Sequence, residues 1–451
     1  MKGGFVSMKK LLLLLIVIFI TTFLPAAIVI NEFMYDMDGT DAGEYIELYN
    51  TSSSPEDISG WQVLLVNGAA GTAYNTITIP ALTTLLGNDY YVIGNQTTIN
   101  AVWPGVVDLN INLDNILQNG SPDAIVLKNG SATLIDAVNY EGDAVFVVGA
   151  ETPNAISEGG TGSIRTRAIA TTRVGSIGRL PDGADTNVNL EDFHPIVASP
   201  GSANTGISLP FSDNFDGGAN AAWMAGFVQI RVVNPASTGP MVASPQGGDA
   251  LEVVDVTGGG DTAYLGGAFK LINVEGYIWI PADAANGWTT GLGIATKCEP
   301  NWFSDAIGNG LEKGFYLDYQ NGALGGTLKG GTYPAHSGSA DLIAVNTSAT
   351  LNTGLVTGTV ATTLGTTTSV SKGAWNTFRI GCDTNSNLVY AYINGVEIFR
   401  GALPAGYNLT AGGVVVGFRE SHAGTPVAGE GTWIDALMID TNTSVSDWSI
   451  Y

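Results

Sequence analysis

The feature that most constrains this chain is a repeated alternation of apolar and polar residues in short runs, each closed by Gly, Asn, Asp or Pro. A period of two puts successive side chains on opposite faces of a strand, so each run can give one face to a core. Such runs stand at 45–49, 61–66, 90–93, 124–127 and 134–138. They return, longer, at 251–256, 274–280, 289–296, 314–319, 377–382, 388–393, 414–418 and 432–439. Charged residues are only 13% of the chain while Gly fills 60 positions, so the usual material of solvated helices is scarce. The expected class is all-β. At 451 residues the chain exceeds one ordinary sandwich and suffices for two β-sandwich domains, each with its own core.

Residues 1–27 read as a signal peptide: Lys9 and Lys10 precede the apolar run Leu11 to Ile20, and Pro25-Ala26-Ala27 offers small residues for cleavage. The rival reading, an uncleaved membrane anchor, meets an apolar core short for a bilayer. Export to the cell surface or beyond is therefore expected, with no membrane span after cleavage. Residues 28–204 form the first expected domain, 205–210 a linker and 211–451 the second domain. Around the boundary, 199–206 has no apolar periodicity. Between 342 and 371 there is no charge, and solvated edge strands or an adhesive surface are both consistent with that stretch.

A formal net charge of -24 repels polyanions and argues against a nucleic-acid partner. Cys298 and Cys382 each fall in phase with apolar neighbours, and after export a disulfide could persist; a bridge and two buried thiols are both compatible with the spacing. His194, His336 and His422 have no neighbouring histidine with which to make a zinc pair, and no phosphate-cradling Gly-rich loop occurs.

The runs Ile30-Asn31-Glu32, Gly43 to Asn50 and Ile58 to Trp61 come first in a series of dispersed motifs. They are followed by Asp123 to Leu127, Asp136 to Tyr140, Ser176 to Arg179 and Pro200 to Asn204, and in that order they resemble the lamin tail domain family. The resemblance implies an immunoglobulin-like sandwich with no catalytic residues assigned to the fold. From the residues themselves, Ile46 and Leu48 should face the core, Asn50 should cap a turn, and Trp61 should fill the space between sheets. Glu32, Glu44, Glu47 and Arg179 could form a carboxylate site, but a structural ion pair or turn brace is the simpler reading.

Trp375 to Ile380 followed by Leu388 to Ile398, with Asn394-Gly395 at a hairpin tip, is similar to the concanavalin A-like and laminin G-like jelly-roll superfamily. Phe211 to Asp216 and Gly431 to Leu437 resemble its opening and closing strands. The resemblance implies glycan binding, protein binding or polysaccharide hydrolysis, and a structural calcium held by Asp213, Asp216 and Asp435; turn-capping Asp residues are the alternative. Hydrolysis asks for two carboxylates facing one cleft, and no Glu-x-Asp-x-Glu run is present. For glycan binding the candidates are Trp302 and Asp305 in one loop and Tyr333 and His336 in another, where an aromatic plate lies beside polar groups.

The expectation is thus an exported, non-catalytic protein that requires no cofactor and can hold a structural calcium. Its jelly roll would bind a glycan or an extracellular protein, with the first domain as spacer or docking module. The alternatives are a self-associating surface component or adhesin and, more weakly, a polysaccharide-active hydrolase.

Overall fold

A computed structural model describes residues 27–35, 42–118, 122–140, 147–158, 175–220, 222–226, 229–237, 240–254, 261–269, 271–280, 288–296, 314–321, 327–328, 331–332, 339–346, 360–367, 369–371, 373–383, 385–386, 388–402, 414–421 and 432–441. Among the described residues the strands form two main sheets within 28–197 and two larger ones within 211–440, each pair accompanied by one two-stranded sheet, as expected of two β-sandwich domains. Among the described residues no helix is long and apolar enough to cross a membrane.

The first, immunoglobulin-like sandwich has a six-stranded sheet in the order Phe193–Val197, Gly175–Arg179, Ile28–Met34, Tyr45–Asn50, Tyr90–Gly94 and Val107–Asn110. Facing it is a four-stranded sheet, Leu134–Tyr140, Asp123–Lys128, Gln62–Asn67 and Thr72–Thr78. Pairing is antiparallel except between Tyr90–Gly94 and Val107–Asn110, which run parallel because the helix Gln96–Val102 carries the chain back. Ile30, Phe33, Ile46 and Leu48 from one sheet meet Val63, Leu65, Ile125 and Leu127 from the other in one core, and Trp61 is buried in it as expected. Asn50 caps its turn: Oδ1 accepts from Ser52 N at 3.0 Å and Nδ2 donates to Ser54 O at 2.8 Å.

The second, jelly-roll sandwich packs an eight-stranded sheet on a seven-stranded one. The first runs Gln229–Val233, Ala250–Val254, Thr432–Asp440, Leu271–Ile280, Ala374–Asp383, Leu388–Ile393, Val396–Ala402, with Phe211–Asp213 also on Thr432–Asp440. The second runs Trp223–Gly226, Asp261–Phe269, Val414–Ser421, Trp288–Thr296, Gly314–Asn321, Ser339–Asn346, Val360–Thr367. Trp223, Leu265 and Leu317 of the latter share a core with Val274, Phe378, Ile380, Cys382 and Ile434 of the former. Cys382 is a buried free thiol in that core, and Cys298 lies outside the described residues. Among the described residues the uncharged stretch supplies part of Ser339–Asn346 and the strand Val360–Thr367, which stands last in the sheet order.

Two Asn-Gly turns behave differently. Asn394 and Gly395 both have positive φ, at 49° and 75°, and join Ile393 directly to Val396, the two-residue hairpin the sequence predicts. At Asn129-Gly130 the loop instead runs to Thr133, because Asn129 Oδ1 accepts from the N–H groups of Ser131 and Thr133, both at 3.0 Å, and Ala132 takes the positive φ.

Candidate functional site

The acidic motif residues of the first domain are structural braces. A bulge at Asn31 shifts the register so that Glu32 stands opposite Glu47, both buried beneath the segment 199–204. Glu32 accepts from Tyr45 Oη, Ser176 Oγ and Ser199 N, the last at 2.9 Å. Glu47 accepts from Asn31 Nδ2 at 2.9 Å and from Gly201 N at 2.7 Å, and Glu44 from Leu117 N at 2.8 Å. Arg179 pairs with none of these three. It is fully buried and bonds Asp136 at 3.0 and 3.1 Å and Asp192 at 3.0 Å, with Asp185 at 3.7 Å and Glu158 at 3.8 Å. Its guanidinium also lies 4.4 Å from the Phe193 ring centroid.

Burial pushes Glu32 above its ordinary range, and burial followed by repulsion from Glu32 pushes Glu47 well above it. Burial, then the charge of Asp136, pushes Glu158 up to about 10. Carboxyls with folded pKa values above their unfolded ones bind protons more tightly in the folded state, so their contribution to stability falls as pH rises through the interval between the two. For Glu158 that interval runs from its ordinary 4.5 to about 10. The first sandwich is therefore expected to unfold at a higher temperature near about pH 5.5 than near about pH 8.5. Calorimetry across that range checks the sign, and a midpoint that climbs with pH contradicts it.

In the second domain, Asp213 and Asp216 act as turn acceptors. Asp213 Oδ1 accepts from Phe215 N at 2.9 Å, and Oδ2 accepts from Asn220 N at 2.9 Å and from Trp223 Nε1 at 2.8 Å. Asp216 accepts from Asp249 N at 3.1 Å and from Asn214 Nδ2 at 3.2 Å. Asp435 accepts from Ser244 Oγ, and burial, with Asp216 and Asp213 nearby, raises it to about 6. Asp213, Asp216 and Asp435 do not bring one oxygen each within 4.8 Å of one another; among the described residues that spacing is met by Glu158, Asp185 and Asp192. The expected ligand residues Trp302, Asp305, Tyr333 and His336 lie outside the described residues.

A cavity of about 380 Å³ opens on the face of the eight-stranded sheet that turns away from the core. A cross-strand row forms its floor: Met438 stands opposite Glu275, Glu275 opposite Arg379, and Arg379 opposite Tyr392. Tyr277 and Thr377 make the next row, and Gln246 reaches in from a loop. Glu275 and Arg379 are paired, with Nη2 at 2.8 Å and Nε at 3.0 Å from Oε2, yet each side chain stays about a third exposed, 28% and 31%. The hollow arises from a bulge in which Ala436 and Leu437 oppose the single Gly276, with Ala436 at φ 48°. Glycine eases the close approach there, since a Cβ on residue 276 would stand 3.0 Å from Asp435 O and 3.3 Å from Ala436 O, and the facing backbone would have to give by a few tenths of an ångström. Alternation about Val274 and Ile380 could have placed Glu275 and Arg379 on the outer face, but a bulge between strands far apart in sequence leaves no local signal.

Residues 22–142 match the family model described as Lamin Tail Domain. No curated protein matches the chain. Among solved structures, the potassium-bound carbohydrate recognition domain of Emp46p is similar at 8% identity and a TM-score of 0.34, covering 51% of this chain and 96% of that one. The carbohydrate recognition domain of Emp47p shows 11% identity and a TM-score of 0.34 over 52% of this chain and 97% of that one. A glycoside hydrolase family 16 endo-glucanase from Bacteroides ovatus shows 11% identity and a TM-score of 0.33 over 51% and 99%.

Proposed function

We propose that this chain, with a lamin tail domain matched in its first part, is an exported, non-catalytic binding protein that holds a glycan in the outer-face cavity of its second sandwich. The observation that carries the reading is the row Glu275, Arg379 and Tyr392 beside Tyr277 in one open hollow. A sugar ring has an apolar face that packs on an aromatic side chain and a rim of hydroxyls that exchange hydrogen bonds with amides, carboxylates and guanidinium groups. The hollow offers both on a rigid sheet, and its volume of about 380 Å³ suits a small saccharide segment. Export rests on the basic, apolar and small-residue layout of residues 1–27. The first sandwich then serves as spacer or docking unit.

Hydrolysis of a glycosidic bond asks for two carboxylates flanking it. Among the described lining residues Glu275 is the one carboxylate, and it is engaged by Arg379. Retention without turnover is the reading this supports. A second reading, self-association, draws on the uncharged edge strand Val360–Thr367, whose outer backbone groups can pair with another copy.

The test is a glycan array probed with the full chain and with Tyr277→Ala and Tyr392→Ala. Selective binding weakened about tenfold by each substitution is the expected outcome, since loss of one aromatic stacking partner costs roughly 1.4 kcal/mol. Binding that survives both changes but is lost in Trp302→Ala removes the site to the 299–305 loop. A silent array joined to concentration-dependent growth in light scattering favours self-association.

A further inference from the structure

The hydrogen-bonding groups left open in the outer-face hollow form a mixed set. Glu275 and Arg379 meet through one carboxylate oxygen and one side of the guanidinium: Oε2 lies 2.8 Å from Nη2 and 3.0 Å from Nε. Among the described residues, Oε1 of Glu275 and Nη1 of Arg379 have no partner, and both side chains line the hollow while staying about a third exposed. Tyr277 Oη and the side-chain amide of Gln246, also in the lining, likewise have none among the described residues. Tyr392 differs. Its hydroxyl donates to Glu397 Oε2 and accepts from Arg400 Nη2, so what it offers a ligand is its ring. The open set is thus an acceptor on Glu275, donors on Arg379, and a phenol and an amide that do both.

The charges in this set cancel. Glu275 and Arg379 make one ion pair, and Glu397 with Arg400, Oε2 to Nε at 3.0 Å, makes a second one on the Tyr392 hydroxyl. Asp435, buried opposite Tyr277, and the net charge of -24 on the chain add only negative potential. A carboxylate or sulfate on a ligand accepts hydrogen bonds and donates none. It could answer Nη1, but it would leave Oε1 unanswered and set a second negative charge beside Glu275. A hydroxyl both donates and accepts, and so answers either group.

We infer that the hollow selects uncharged saccharides, built of sugar units without carboxylate or sulfate, whose hydroxyls donate to Glu275 Oε1 and accept from Arg379 Nη1. Glu275 is then the specificity-determining residue: it fixes the guanidinium, and it cancels the positive charge that would otherwise draw an acidic sugar. The inference rests on the glycan reading above and names the class of glycan.

The test uses the full chain on an array that carries oligosaccharides of glucose, galactose and mannose beside oligosaccharides of the matching uronic acids, probed at roughly 0.05 and 0.5 M sodium chloride. Expected is binding to a neutral series at least about tenfold tighter than to its uronate counterpart, changed less than about twofold by the salt. Glu275→Gln keeps an acceptor in place but leaves Arg379 uncompensated, and should raise uronate affinity about tenfold, a gain that damage to the fold would not produce. If the unaltered chain binds uronates as tightly as neutral sugars, or if Glu275→Gln leaves the selectivity where it was, the inference is overturned while the glycan reading stands. Silence toward both series overturns the two together.

Discussion

Replacing Arg179 by Leu is expected to destabilise the first sandwich by about 3–5 kcal/mol, the cost of breaking a buried ion pair and leaving its partners uncompensated. The guanidinium is fully buried and is the shared partner of Asp136, Asp192 and the carbonyls of Ile30 and Ala184, so one substitution strands groups on four segments. Leucine fills much of the volume but satisfies none of them. Lysine should recover only part of the loss, since one ammonium cannot meet Asp136, Asp192 and the carbonyls of Ile30 and Ala184 together as the three nitrogens of the planar guanidinium do. Deuterium exchange resolved by segment is the measurement: peptides from 28–204 should lose protection while those from 211–440 keep it. Unchanged exchange in the first set would falsify the central role given to Arg179.

Asp213→Ala should cost the second sandwich about 2–4 kcal/mol, because three N–H donors lose one buried acceptor at once. Two of them, on Phe215 and Trp223, belong to residues wholly buried in the core. A brace and a metal ligand predict different companions to this loss. As a brace, Asp213 should show the same drop in thermal midpoint in calcium and in chelator; a drop that appears only in calcium would return the residue to the role of ligand.

How much of this was legible in the sequence depends on how far apart the partners are. The faces of Tyr45–Asn50 and Leu388–Ile393 follow from alternation within a few residues, and the Asn394-Gly395 hairpin from two adjacent ones. Asn50 and Trp61 also take the places their chemistry suggests. By contrast, the outer face of Tyr45–Asn50 looks solvent-facing in isolation, yet Glu47 is buried because Gly201, 154 residues later, lies across it. Arg179 was recognisable as a motif residue, but its partner Asp136 is set by the fold and not by spacing. Asp213 shows the limit most clearly: an aspartate that ends a strand before a turn looks the same from sequence whether it caps backbone N–H groups or binds an ion. The cavity was invisible for another reason, since Gly276 and Ala436 form its bulge across 160 positions of chain.

The segment 199–204 has a consequence for the order in which the first domain can be made. Ile28–Met34, the earliest strand, finds one of its two neighbours in Gly175–Arg179, and Glu32 receives its last hydrogen bonds from Ser199. The part of the chain that matches the lamin tail model ends at 142, before either of those partners has been synthesised. A ribosome must therefore add roughly sixty further residues beyond the matched part before the opening strand can be enclosed, and until then its buried acids have no cover. Under the export proposed above, a domain that closes only with its final residues remains unclosed for as long as threading requires.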